Sequence, residues 1–198
     1  MKLNLLITSL ILLLVGCSVG RDFVRPEQSS LLLGKTAHDK IIELFGSPYS
    51  KGIKVVNDKN LITVCYAYAK ASGKTLYKGV NPGKAICFDF YNDYLVGYSF
   101  ISSFKTDNTN FDESRISLIK KDRTTKNEVI EILGEPSGIS IYPITKNENE
   151  TEFYYVYAHE RTSKVSKNKS NIFLKELNIL LNEYNVVSEI KSNILGEP

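Results

Sequence analysis

Few residues of this chain are of types that do covalent, metal or phosphate chemistry, so their spacing is quickly tested. The 198 residues hold two histidines and three cysteines. His38 and His159 lie far apart in sequence. No His-x-x-x-His and no Cys/His set at zinc spacing joins them. Gly34-Lys35-Thr36 and Gly73-Lys74-Thr75 end as phosphate-binding loops do. The earlier glycine such a loop needs would fall at Ser29 or Tyr68, so neither can build the amide cradle. No Gly-x-Ser-x-Gly elbow occurs. The inventory predicts no enzyme, no cofactor, no metal site and no small-molecule substrate. Cys65 and Cys87 lie on runs with strand patterning. Two states stay open for them. One is a cross-strand bridge, which requires Cα atoms within about 7 Å. The other is a pair of buried thiols packed as small hydrophobes. Without Cys-x-x-Cys, redox work is not expected.

The third cysteine has a different setting. Lys2 gives a short positive start, and Leu5 to Val15 is an apolar run broken only by Thr8 and Ser9. The run is too short to span a bilayer, which takes ~20 residues, and suits a signal-peptide core. Leu14-Val15-Gly16-Cys17 resembles the lipobox of bacterial lipoproteins. The resemblance implies that residues 1–16 are a cleaved signal. It also implies that Cys17 carries a thioether-linked diacylglycerol, with a further acyl chain such as palmitate on its amine. Two or more chains anchor stably where one does not. Ser18, rather than Asp, follows the cysteine, which implies an outer-membrane destination in a Gram-negative host, on the periplasmic face. Residues 17–25 then read as a lipidated tether. Ser18 to Arg25 reaches at most ~29 Å when extended, so the folded part stays near the membrane.

Charge excludes one partner class. Lys and Arg total 25 against 22 Asp and Glu, a formal net charge of +3. That balance leaves no footprint for nucleic acid. A local excess sits at Arg161, Lys164, Lys167 and Lys169, within a stretch that reads first as a solvated hairpin loop and second as a contact for anionic lipid.

The elements that must position these residues come in two copies. Thr36 to Pro48 matches Thr124 to Pro136 at an offset of 88. The same offset carries Tyr66 onto Tyr154, and it slips to 90 at Asn92-Asp93-Tyr94 and Asn182-Glu183-Tyr184. Thr36 and Thr124 are candidate N-caps. Thr125-x-x-Glu128 offers a capping box as an alternative start in the second copy. Ala37, Ile41, Leu44 and Phe45 share one helix face, as do Val129, Ile132 and Leu133. Gly46 and Gly134 suit the C-terminal turn, and Pro48 and Pro136 stop the helix. Alternation then predicts strands over 61–69, 85–91 and 94–104, and over 152–159, 172–181 and 184–191. Shorter segments near 26–33 and 112–120 read as a first helix in each unit. The fold expected is α+β: two tandem helix-helix-strand-strand-strand units, residues 26–105 and 111–191, with helices on one face of an antiparallel sheet.

A capped helix ending Leu-Gly-x-Pro, followed by three antiparallel strands in a lipoprotein, resembles the SmpA/OmlA (BamE-like) lipoprotein family. Gly34, Thr36, Ile41, Gly46 and Pro48 carry the resemblance, with Thr124, Val129, Leu133, Gly134 and Pro136 in the second copy. Asp122 stands where the second copy would have its first glycine. As a tandem pair the chain is also similar to the β-lactamase-inhibitor protein fold. The resemblance implies a non-enzymatic, membrane-anchored scaffold that binds an envelope protein, in β-barrel assembly or envelope integrity. The alternative it implies is an inhibitor-like module that occludes an envelope enzyme. Tyr91, Tyr94, Tyr98, Tyr155 and Tyr157 are the expected partner surface, since tyrosine joins large area to a polar tip.

Overall fold

The structure is a computed structural model that describes residues 18–71, 73–162 and 170–196. The signal segment, Cys17 and the lysines at 164, 167 and 169 lie outside those residues.

Among the described residues each unit has one amphipathic α-helix, α1 (His38–Phe45) and α2 (Lys126–Leu133). Ile41 and Val129, on the apolar faces, are fully buried. Both helices stop at a glycine with φ 78° and ψ −156° in Gly46, φ 81° and ψ −173° in Gly134. Only glycine takes that conformation at low cost. The carbonyls exposed there accept hydrogen bonds from Tyr66 Oη and Tyr155 Oη, each 2.9 Å long. Tyr66 therefore corresponds to Tyr155, one residue beyond the match the sequence suggests.

Thr36 and Thr124 are not the N-caps expected of them. Their hydroxyls accept the amides of Leu32 (2.9 Å) and Lys120 (2.8 Å), closing the turn before the helix. The cap positions are one residue later. Ala37 gives α1 no side-chain cap, while Thr125 and Glu128 give α2 a full capping box.

Among the described residues nine strands form one antiparallel sheet: β1 (Ser18–Gly20), β2 (Ser50–Val56), β3 (Lys59–Lys70), β4 (Gly83–Tyr91), β5 (Tyr94–Ser102), β6 (Gly138–Ile141), β7 (Thr151–Thr162), β8 (Ser170–Leu181) and β9 (Val187–Leu195). Their order is β1-β3-β4-β5-β6-β7-β8-β9, with β2 also paired to β3. The expected α+β arrangement with paired helices is thus overturned, and the protein is mostly antiparallel sheet. Segments 26–33 and 112–120 hold only the short 3-10 helices Gln28–Ser30 and Glu113–Leu118. The chain just after them is claimed by the sheet: Gly34 and Thr36 exchange backbone bonds with Leu95, and Asp122 and Thr124 with Val187. An α-helix cannot run on into residues held that way.

Two further strands, β2 and β6, precede the expected three. Lys51, Gly52 and Lys54 interrupt the apolar pattern of β2. Its hairpin signal was present nonetheless. Asn57 and Asp58 turn into β3 at φ 48° and 59°, as Asn92 and Asp93 do between β4 and β5 at 49° and 66°.

β5 and β6 join the units: Gly97 pairs with Ser140, Tyr98 with Ile139 and Ser99 with Gly138. A Cβ on Gly138 would run into Tyr98 O, and one on Gly97 would press on Ile144 and Ser140. The two glycines therefore let the backbones close. Below the sheet lie two apolar clusters, one around Ile41, Ile86, Phe88 and Phe100, the other around Val129, Phe153, Leu177 and Ile179. Ile139 packs against both, which welds them across the seam.

Candidate protein-binding surface

The segment expected as a lipidated tether is built into the fold from Ser18 onward. Ser18, Val19 and Gly20 pair with Lys70, Ala69 and Tyr68. Phe23 then inserts its ring against Phe45 and Phe100, with centroids 5.9 and 6.4 Å away. Lys84 holds the strap. Its ammonium donates to Phe23 O, pairs with Asp22 at 2.7 Å and lies 5.1 Å from the Phe23 ring. Arg25 reaches across to the second unit, donating to Pro136 O at 2.7 Å. The second unit repeats the device, with Lys175 donating to Phe111 O, pairing with Glu113 at 2.9 Å and lying over the Phe111 ring. Sequence reasoning missed both straps. A signal existed, because Phe23 and Phe111 are related by the same offset of 88 as the helices.

The helices cover one face of the sheet, and alternation leaves the other open. On that face Cys65 and Cys87 are directly opposite, with Cα atoms 4.1 Å apart, and are joined by a disulfide. Around them the face is lined by small residues, including Ala67, Ala69, Ala85 and Ala158. A groove of about 450 Å³ runs from Val19 past these alanines to Ile101 and Ile172, spanning both units. Further along the face the surface turns polar. Thr63 donates to Asp89 at 2.5 Å, and Asp89 pairs with Lys54 at 2.6 Å. Tyr154 donates to Glu176 at 2.5 Å, and Asn178 to Glu152 at 2.9 Å. Burial and the Glu176 carboxylate together push the Tyr154 phenol upward, so it stays a donor.

The expected tyrosine surface is not assembled. Tyr98, Tyr155 and Tyr157 occupy buried positions, at 7 %, 2 % and 0 % exposure. Their strand positions face the helices or the body of the second unit. Burial raises the Tyr98 pKa to about 12. Tyr91 is half-buried, and Tyr94 is exposed beside the β4–β5 turn. The two histidines do not meet: His38 packs edge-on against Phe90, and His159 is enclosed by Tyr77, Tyr157 and Phe173. Among the described residues, no group of three or more His, Cys, Asp or Glu is placed to hold a metal ion, and no helix is long and apolar enough to cross a membrane.

No protein-family model and no curated protein matches the chain. Among solved structures, it is similar to a "putative beta-lactamase inhibitor protein" from Streptococcus mutans. That similarity has 16 % identity and a TM-score of 0.43, covering 80 % of this chain and 82 % of the other.

Proposed function

We propose that the chain is a lipoprotein held on the periplasmic face of the outer membrane through Cys17, where it acts as a non-enzymatic scaffold that binds an envelope protein. One observation carries the reading: the strand that begins at Ser18, directly after the lipobox cysteine, opens onto the groove of the free sheet face through Val19. A lipid on Cys17 would keep that end of the groove close to the membrane, within reach of an envelope protein. The groove offers small apolar side chains bordered by fixed polar pairs, a composition suited to a protein surface. A partner in β-barrel assembly is the specific expectation of the helix-Gly-x-Pro resemblance.

The test is cross-linking and affinity purification of the lipidated protein from native membranes, with Cys17→Ala as the unanchored control. Recovery of β-barrel assembly components, lost in the control, supports the scaffold. Recovery of a single soluble enzyme, kept in the control, replaces it with the inhibitor-like alternative. Mass analysis of the N-terminal peptide tests the anchor separately.

A further inference from the structure

The two units differ at corresponding strands. In the second, β6 is paired on both sides, by β7 and by β5 of the first unit. In the first, the corresponding β2 is paired to β3 along one side, and no strand among the described residues pairs with its outer side. Six of its seven residues are exposed. Large apolar side chains are exposed along it, Ile53 at 74 % and Val55 at 68 %, with Tyr49 just before it at 72 % lining one pocket with Leu44 of α1. An unprotected edge of this kind is a template for strand addition, which natural sheets normally blunt.

Gly52 adds a second observation. Glycine weakens a strand interior and often marks the close approach of another backbone. At the seam, Gly138 serves β5 in that way. Gly52 points to the same sheet face as Gly138 does from its own strand. A Cβ on Gly52 would meet nothing within 4 Å, and its backbone is not in the left-handed region. Nothing in the chain's own packing requires a glycine there.

We infer that the outer edge of β2 accepts an antiparallel extended strand from another protein, as the equivalent edge of β6 accepts β5. This contact is separate from the open sheet face. The occupant presents apolar side chains to Ile53 and Val55 and acidic ones near Lys51. A second copy of this chain fits poorly. β2 against β2 would bring four lysines to one seam. The chain's other outer edge, β9, has Glu189 where β5 has Gly97, so it lacks the glycine that β5 brings to the internal seam.

The probe is a synthetic peptide of the β5 sequence, residues 94–102, with Tyr98→Glu, since the seam register sets that position opposite Lys51, and it carries a fluorophore. Its binding to the full-length lipidated protein in detergent is read by fluorescence anisotropy. Saturable binding is expected. Gly52→Val should weaken it roughly tenfold or more, while the Tm stays within a degree or two, because the new side chain enters open space. Ile53→Glu should weaken it similarly. N-methylating alternate amides along one side of the peptide should abolish binding, and along the other side should not. The proposal is overturned by the absence of saturable binding, by wild-type affinity in both variants, or by binding that ignores N-methylation. Self-association of the protein alone that Gly52→Val dissolves would give the edge to a second copy and overturn the assignment to another protein. None of these outcomes depends on the open-face groove, so that reading stands or falls by the cross-linking experiment.

Discussion

The two units solve the same folding problem with one shared set of contacts and one divergent set. Shared are the tyrosine hydroxyl on the helix-ending glycine, the threonine hydroxyl closing the turn before the helix, and the lysine that clamps a phenylalanine strap. These are what a unit needs in order to fold. The divergent set follows position in the sheet. Where the first unit has the Cys65–Cys87 disulfide, the second has Tyr154 opposite Asn178, held by Glu176 and Glu152. In the first unit the free edge lies on β2, beside the disulfide strand β3, and the covalent tie stands next to it. In the second unit the strand corresponding to β2 is β6, which is paired on both sides, and hydrogen bonds serve beside it, while the free edge falls on β9 instead.

The sharpest way to break this comparison is at the strand edges. Gly138→Val puts a branched side chain against the β5 backbone, so the seam must open. The expected loss is about 3 kcal/mol or more, the upper range for forced overpacking, read as a lowered urea midpoint. Gly52→Val, at the corresponding strand of the other unit, should change stability by about 0.5 kcal/mol or less. Equal losses at both sites would mean that the seam gains nothing from its glycine.

The covalent tie comes next. Replacing both Cys65 and Cys87 by alanine releases a loop with a sequence separation of 22. Loop-closure entropy puts that cost at about 3 kcal/mol. Asn178→Ala, on the corresponding cross-strand pair, removes one hydrogen bond from a network that keeps its other members, a cost of about 1 kcal/mol. Thermal unfolding of both variants checks the ratio. A disulfide variant no weaker than Asn178→Ala would end the argument that the first unit depends on its covalent tie. Tyr66→Phe and Tyr155→Phe should each cost about 1 kcal/mol, and should match one another, because each deletes one 2.9 Å bond to a helix-ending carbonyl. A clear inequality would show that the shared set is not equally shared.

What was legible in the sequence follows the same division. The duplication, both helix spans and most of the strands could be read from caps, glycine stops and alternation, because those signals are local. The fold class could not. Whether 26–33 or 112–120 becomes helical is decided by Leu95 and Val187, which bind the chain just after each segment from far along the sequence. β2 was illegible because an edge strand needs only one apolar side, and its lysines and glycine broke the pattern. The expected tyrosine surface failed on a point of register. The units are offset by 88 at the helix, by 89 at Tyr66 and Tyr155, and by 91 at Lys84 and Lys175. A slip of one residue sends a strand side chain to the opposite face. Sequence matching at 88 placed Tyr154 where Tyr155 belongs, and so could not tell buried rings from open ones.

The smallest difference between the units is at the helix starts, and there it has a sign in pH. In α2 the Glu128 carboxylate accepts the Thr125 amide at 2.7 Å and its hydroxyl at 2.8 Å. The backbone bond first, and the hydroxyl second, hold the Glu128 pKa below its usual value. A carboxyl whose pKa is lower in the folded than in the unfolded state stabilises fully above the unfolded value, about 4.3, and that stability is lost as pH falls through the folded value. The Tm gap between the wild type and Glu128→Gln should therefore be widest near about pH 6 and narrow steadily below about pH 4. The α1 counterpart has Ala37 at its cap and Lys40 where α2 has Glu128, so it should contribute no such dependence. Ala37→Thr should add about 0.5–1 kcal/mol at every pH, since a hydroxyl cap does not titrate in this range. A pH-independent gap for Glu128→Gln would show that the box acts through its geometry alone, leaving the two helices different in strength but not in kind.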